Sequence, residues 1–148
     1  MVAETVSEKL DRIARRGYPT TASIEVTAQC NARCEYCYVK DGSFTELSTG
    51  RLCAAIDKLS KSGVFHLHLT GGEPFLRPDI LTIFSFAIEH GIFHCTLFSN
   101  GILLTEKHLD FLIHVGYGLR APVLVVELML KESEEPWRIL LEAFLPDL

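Results

Sequence analysis

Three times along this chain a short strand pattern gives way to a polar loop, then to a helical stripe, then to a glycine. Ala22 to Thr27 alternates around Ile24 and Val26, as a strand with two different faces does. Ser48 or Thr49 can then cap a helix whose stripe is Leu52, Ala55, Ile56 and Leu59, with Gly63 as its stop. Val64 to Leu69 predicts the second strand, with Phe65, Leu67 and Leu69 on one face. Pro78 and Asp79 suit the first turn of a helix running through Ile80, Leu81, Phe84, Ala87 and Ile88 to Gly91. Phe93 to Phe98 predicts the third strand; Thr105 caps a third helix bearing Leu109, Leu112 and Ile113, with Gly116 after it. Strands spaced by roughly 30 to 40 residues with a helix between them mean consecutive βαβ units, an α/β fold around a parallel sheet. Right-handed crossovers place every strand–helix loop on one edge of that sheet, which in barrel enzymes is the rim that carries the active site.

The loops so gathered are not ordinary. The first holds Cys30, Cys34 and Cys37, three thiols at C-x3-C-x2-C. Structural zinc takes four ligands, so three cysteines require a fourth ligand from elsewhere, such as a histidine. A cubane iron–sulfur cluster is usually held by four cysteines, so three would leave one iron open. The second loop is Thr70-Gly71-Gly72-Glu73-Pro74. Paired glycines let the backbone turn sharply and leave its polar groups open to a ligand, Glu73 offers a carboxylate suited to an ammonium group, and Pro74 stiffens the exit. An ordinary tight turn is the plain alternative. The third is Ser99-Asn100-Gly101, a turn that can also offer polar contacts. His66 and His68 share a strand face with Thr70, opposite Phe65, Leu67 and Leu69; they either line a cavity or serve as structural histidines.

The chain has 148 residues, 48% of them hydrophobic, enough for one core. A net charge of −5 without a basic run predicts no nucleic-acid partner and no anionic membrane surface. Met1 to Arg16 lacks an apolar h-region and no long apolar span occurs, so a cytoplasmic chain with reduced thiols is expected. Cys53 and Cys95 stand alone in apolar patterns and read as small buried hydrophobes. Val6 to Arg16 predicts a short amphipathic helix ended by Gly17-Tyr18-Pro19.

Taken together, Cys30-x3-Cys34-x2-Cys37 with Tyr36, then Gly71-Gly72-Glu73-Pro74, then Ser99-Asn100-Gly101 resembles the N-terminal part of a radical S-adenosylmethionine (SAM) enzyme, over roughly Ala22 to Gly116. The resemblance implies a [4Fe–4S] cluster on Cys30, Cys34 and Cys37, with SAM chelating the open iron through its amino and carboxylate groups. It implies that Gly71 to Glu73, with Pro74 in the same segment, bind the methionine amino end, that Tyr36 sits against the adenine, and that Ser99 and Asn100 fall near the ribose or carboxylate. It also implies one-electron cleavage of SAM to methionine and a 5′-deoxyadenosyl radical, and an electron donor of flavodoxin or ferredoxin type. The wording Ser23-Ile24-Glu25-Val26-Thr27 before Cys30, with Cys37-Tyr38 after, is most similar to the subgroup that matures peptides and proteins, which often carries a SPASM-type cysteine-rich extension.

The family core is a partial (β/α) barrel of six βα units. At roughly 31 residues per unit, this chain has room for about four. The expected organisation is an N-terminal segment 1–20, a radical SAM core 21–116 and a divergent segment 117–148. In the last, Pro122 to Leu130 could be a fourth strand and Pro136 could open a helix using Leu140, Leu141 and Phe144. The family pattern stops near Gly116, and a truncated frame is the expectation drawn from it. The alternative to an enzyme is an inactive remnant or a cluster-binding module completed by a partner chain.

Overall fold

The computed structural model describes residues 13, 15, 17–35, 37, 44–118 and 127–128. The expected N-terminal helix falls for the most part outside them, as do Tyr36 and the expected helix after Pro136. Four parallel strands lie in the order β1-β2-β3-β4: β1 (Thr21–Thr27), β2 (His66–Gly71), β3 (His94–Ser99) and the two-residue β4 (Glu127–Leu128). Helices α1 (Thr49–Lys61), α2 (Ile80–Glu89) and α3 (Glu106–Gly118) follow the first three strands in turn. This is the βαβ succession that the sequence predicts.

The strands alternate as their composition requires. Ala22, Ile24 and Val26, then Leu67 and Leu69, then Cys95 and Leu97, join one apolar core with the helices. Helix α2 meets that core with Ile80, Ile83, Phe84, Ala87 and Ile88, the i, i+3, i+4, i+7, i+8 stripe of a helix buried on one side. Each fully buried Leu, Ile or Phe contributes about 1.5–3 kcal/mol of transfer free energy. The opposite face carries Thr21, Ser23 and Glu25 on β1, His66, His68 and Thr70 on β2, and His94, Thr96 and Phe98 on β3. Thr21 pairs with His66 and His66 with His94, so these rows run straight across the sheet.

Two boundaries differ from expectation. Strand β2 begins at His66, not Val64, because the Val64 amide closes the end of α1 on the Leu59 carbonyl and the ladder opens only where His66 meets Thr21. Helix α3 continues through Gly116 to Gly118. A glycine costs a helix interior about 1 kcal/mol without ending it. Beyond it, Glu127 and Leu128 pair with Phe98 and Ser99, inside the stretch expected to be a fourth strand.

Candidate functional site

The three polar loops meet at the C-terminal ends of β1, β2 and β3. What joins the first two is backbone. The Gly72 amide donates to the Thr27 carbonyl and the Glu73 amide to the Gln29 carbonyl, each at 2.8 Å. This lacing explains both glycines. Gly71 has φ +131°, and a Cβ there would stand 2.2 Å from the Thr27 oxygen; one on Gly72 would stand 2.0 Å from the Gln29 oxygen. Neither neighbour is a side chain that can swing away. Gly72→Ala is therefore expected to cost about 3 kcal/mol or more and to push the cysteine loop off the second loop. Chemical denaturation checks the first effect, and hydrogen exchange at the Glu73 amide the second.

Glu73 ties the second loop to the third. It is 0% exposed. Its Oε1 accepts from the Phe75 amide and the Ser99 hydroxyl, both at 2.9 Å, and its Oε2 from the Asn100 amide at 2.7 Å. Three donors on one buried carboxylate satisfy the polar atoms that burial takes away from water. This corrects the expectation of a carboxylate presented at the rim to an ammonium group: Glu73 lies behind the cavity wall, not in it. Pro74 is also buried, opening a short 3-10 turn over Pro74–Leu76, and takes no part in the wall.

The cavity in front of these loops has a volume of about 430 Å³, within the usual range for small-molecule sites. Cys30, Cys34 and Cys37 line it, and so do Gly71, Gly72, Ser99 and Asn100. Cys30 is exposed, and Cys34 and Cys37 are half-buried. The Cys37 amide donates to the Cys34 carbonyl at 3.2 Å, which turns the loop between them. Asn100 reaches back to the first cysteine: its Nδ2 donates to Asn31 Oδ1 at 2.7 Å and approaches Cys30 Sγ at 3.8 Å. Its Oδ1 accepts from the Ile102 amide, and the Ser99 hydroxyl accepts from the Gly101 amide, so the third loop is braced from within.

Among the described residues no three His, Cys, Asp or Glu side chains converge as a site for a single metal ion. Three thiols lining one cavity fit a four-iron cubane, in which each thiolate would hold a different iron, with two glycine backbones beside it that present no side chain. Cys53 and Cys95 stand apart. Cys95 lies wholly inside the core, where burial pushes its thiol up to about 12. Cys53 is half-buried on α1, its thiol raised by burial and then by Asp79.

Ser23, Glu25, Ala32, His68, Thr70 and Phe98 form the rest of the wall. Ser23, Glu25 and Phe98 were missed as site residues, although the period-two pattern that buries Ile24 and Val26 turns Ser23 and Glu25 to the other face. His68 lines the cavity, and His66 sits behind it with the two Nε2 atoms 3.1 Å apart. His66 also stacks on His94 with ring centroids 4.3 Å apart. Burial first, then His94 and His68, holds the His66 imidazole below its usual 6.5. Burial first, then His68, does the same to His94. Well above pH 6.5, the ordinary imidazole value, both rings are neutral whether the chain is folded or not. As pH falls below that, the unfolded chain takes up protons that the folded one resists, so stability is lost until the folded values are reached. The melting temperature should thus fall between about pH 7.5 and pH 5.5, and His66→Gln should shrink that fall. Circular-dichroism melts at the two pH values check it.

A parallel sheet whose strand–helix loops bring three cysteines and a Gly-Gly pair to one cavity matches a known family. Residues 24–139 match the radical SAM superfamily, and the chain belongs to it. Members of that superfamily bind a [4Fe–4S] cluster and SAM. Its fold is a partial β/α barrel, of which the described residues supply parallel strands with their helices. Among curated relatives, the chain is 38% identical over 101 residues to the PqqA peptide cyclase of Ruegeria pomeroyi, covering 66% of this chain and 27% of that protein. It is 31% identical over 103 residues to the PqqA peptide cyclase of Bradyrhizobium diazoefficiens, covering 68% of this chain and 27% of the relative. It is 34% identical over 90 residues to the GTP 3′,8-cyclase of Limosilactobacillus fermentum, covering 57% and 27%. The matched region thus spans about a quarter of the length of these relatives. Among the described residues no helix is long and apolar enough to cross a membrane.

Proposed function

We propose that this chain carries the cofactor-binding part of a radical SAM enzyme acting on a peptide. The observation that supports this most is the shared cavity, in which three cysteines face the Gly71–Gly72 backbone and the Ser99–Asn100 turn. In this reading Cys30, Cys34 and Cys37 hold three irons of a [4Fe–4S] cluster. Gly71 and Gly72 receive the methionine end of SAM through backbone groups, with Ser99 and Asn100 beside them; the resemblance gives Tyr36 to the adenine. When bound, the cofactors supply one-electron cleavage of SAM and a 5′-deoxyadenosyl radical able to take hydrogen from substrate.

The chain's own residues contribute placement. Glu73 fixes the second loop against the third, so that both present their polar groups together. Asn100 offers its Nδ2 to the Cys30 sulfur; a donor beside a ligating thiolate tunes the potential of a cluster. Phe98 and His68 line the same cavity as the glycines. The peptide as substrate class rests on the two PqqA peptide cyclases; the reading also includes an electron donor, of flavodoxin or ferredoxin type, and a cytoplasmic setting.

The test is anaerobic reconstitution with iron and sulfide, reduction with dithionite, and chromatographic detection of 5′-deoxyadenosine from added SAM. Formation of the nucleoside is expected. A cluster without cleavage would point instead to a module that needs a partner chain.

A further inference from the structure

One polar network in this molecule touches neither the cavity nor the three cysteines. Arg77 follows the 3-10 turn after Glu73 and is only 8% exposed. Nη1 donates to the Val26 carbonyl at 3.0 Å and to the Leu47 carbonyl at 3.2 Å. The same nitrogen lies 3.4 Å from Glu46 Oε2. Nε and Nη2 form a fork on the two oxygens of Asp79 at 3.0 and 2.7 Å. Asp79 Oδ2 also accepts from the Thr49 hydroxyl at 2.6 Å. The Thr27 hydroxyl donates to Glu46 Oε1 and accepts from the Gln29 amide.

Placed along the chain, these contacts fall into two groups. Val26, Thr27 and Gln29 belong to the end of β1 and the first residues of the cysteine loop. Glu46, Leu47 and Thr49 belong to the last residues of that loop and the start of α1. Residues 28–48 separate the two elements and include all three cysteines. One guanidinium grips both ends of that segment by backbone carbonyls, and two carboxylates complete the grip from either side. A long connection loses much conformational freedom when several of its side chains must be held together. Pinning its two ends removes part of that freedom before any ligand arrives, as preorganisation does in any binding site.

We infer that Arg77, with Asp79 and Glu46, is a clamp on the neck of the cysteine loop that sets how firmly the three thiolates hold what they bind. Arg77 is a positioning residue: it acts through the loop and does not face the cavity. Lysine at this place keeps the charge but cannot serve two carbonyls and a carboxylate pair from one planar fork. The inference rests on the cluster reading above for its ligand, while the clamp itself is a property of the cluster-free chain.

The experiment compares the full chain with Arg77→Lys, Glu46→Gln and a core control, Ile83→Val, which removes one methyl group remote from the neck. Two quantities are read. The first is the rate at which the reconstituted chains lose iron to a chelator, followed by the decay of visible absorbance. The second is hydrogen exchange in the cluster-free chains at the Gly72 and Glu73 amides, which donate to Thr27 and Gln29 at the neck. Arg77→Lys should lose iron roughly ten-fold faster and exchange these amides faster by a similar factor, since several charge-assisted bonds are lost together. Glu46→Gln, which leaves the Asp79 fork intact, should show the same change on a smaller scale, and supplies the reading if Arg77→Lys does not fold. Ile83→Val should leave both within about two-fold, its cost being spread over the core. Exchange and iron loss unchanged in both neck variants, or an equal change in Ile83→Val, would overturn the clamp. A wild-type chain that takes up no iron would remove the cluster reading, and the exchange comparison would still decide whether the neck is clamped.

Discussion

Cys34→Ala is expected to reduce the iron retained after anaerobic reconstitution from about four per chain to well under one, and to abolish the broad visible absorbance of the cluster. The size of the effect follows from the number of ligands. A cubane on three thiolates already has one iron without a protein ligand, and removing a second anchor leaves half the cluster open to water and chelators. Protein stability should hardly change. Cys34 is half-buried at the cavity wall and belongs to neither the core nor a strand ladder, and changes at such places stay within roughly 0.5 kcal/mol. Iron and sulfide analysis beside a denaturation curve measures both. Parallel losses of iron and of fold would mean that the cysteine had a structural part instead. Cys95→Ala serves as the opposite control, since its thiol is buried in the core and raised to about 12: some stability should be lost there and no iron.

The second large effect is expected at Glu73. Glu73→Ala leaves the Phe75 amide, the Ser99 hydroxyl and the Asn100 amide without their acceptor in a buried place. Each stranded donor costs about 1–3 kcal/mol, so a loss of at least roughly 3 kcal/mol is expected, a large part of the stability of a small domain. Glu73→Gln should fall between, because its amide group turns a donor toward donors. The loss should be local in its consequence: Asn100 is released from Glu73 and with it the contact to Asn31 and Cys30, so retained iron should drop as well. Urea unfolding and iron analysis of the two variants check both. A Glu73→Ala chain as stable as the parent would show that the carboxylate is not the tie between the second and third loops.

These two sites differ in how far the sequence discloses them. The gathering of the cysteines was legible because residue type and spacing are both written in Cys30-x3-Cys34-x2-Cys37, and all three line the cavity. The convergence of loops was legible too, since the repeat of strand, loop and helix leaves a parallel sheet with right-handed crossovers little choice of rim. The direction of Glu73 was not. A carboxylate after two glycines has the right chemistry for an ammonium group, and only the donors of Ser99 and Asn100, 26 and 27 positions further on, turn it inward. Arg77 gave no signal at all: its partners at Val26, Glu46 and Leu47 lie 51, 31 and 30 positions away, and no local pattern announces a contact of that range. Strand β2 was placed two residues early for a related reason, since Val64 and Phe65 extend the apolar pattern while hydrogen bonds, not hydropathy, decide where the ladder begins. The histidine rows were readable as a face, yet not as a stack, because stacking needs the register that puts His94 opposite His66.

Whether the three cysteines hold a [4Fe–4S] cluster with one iron left for SAM is decided by electron paramagnetic resonance of the reconstituted, dithionite-reduced chain, recorded with and without SAM. A reduced-cluster signal is expected whose g-values shift when SAM is added and which is missing from Cys34→Ala. About one zinc per chain with no iron, or a cluster signal that SAM leaves unaltered, would contradict it.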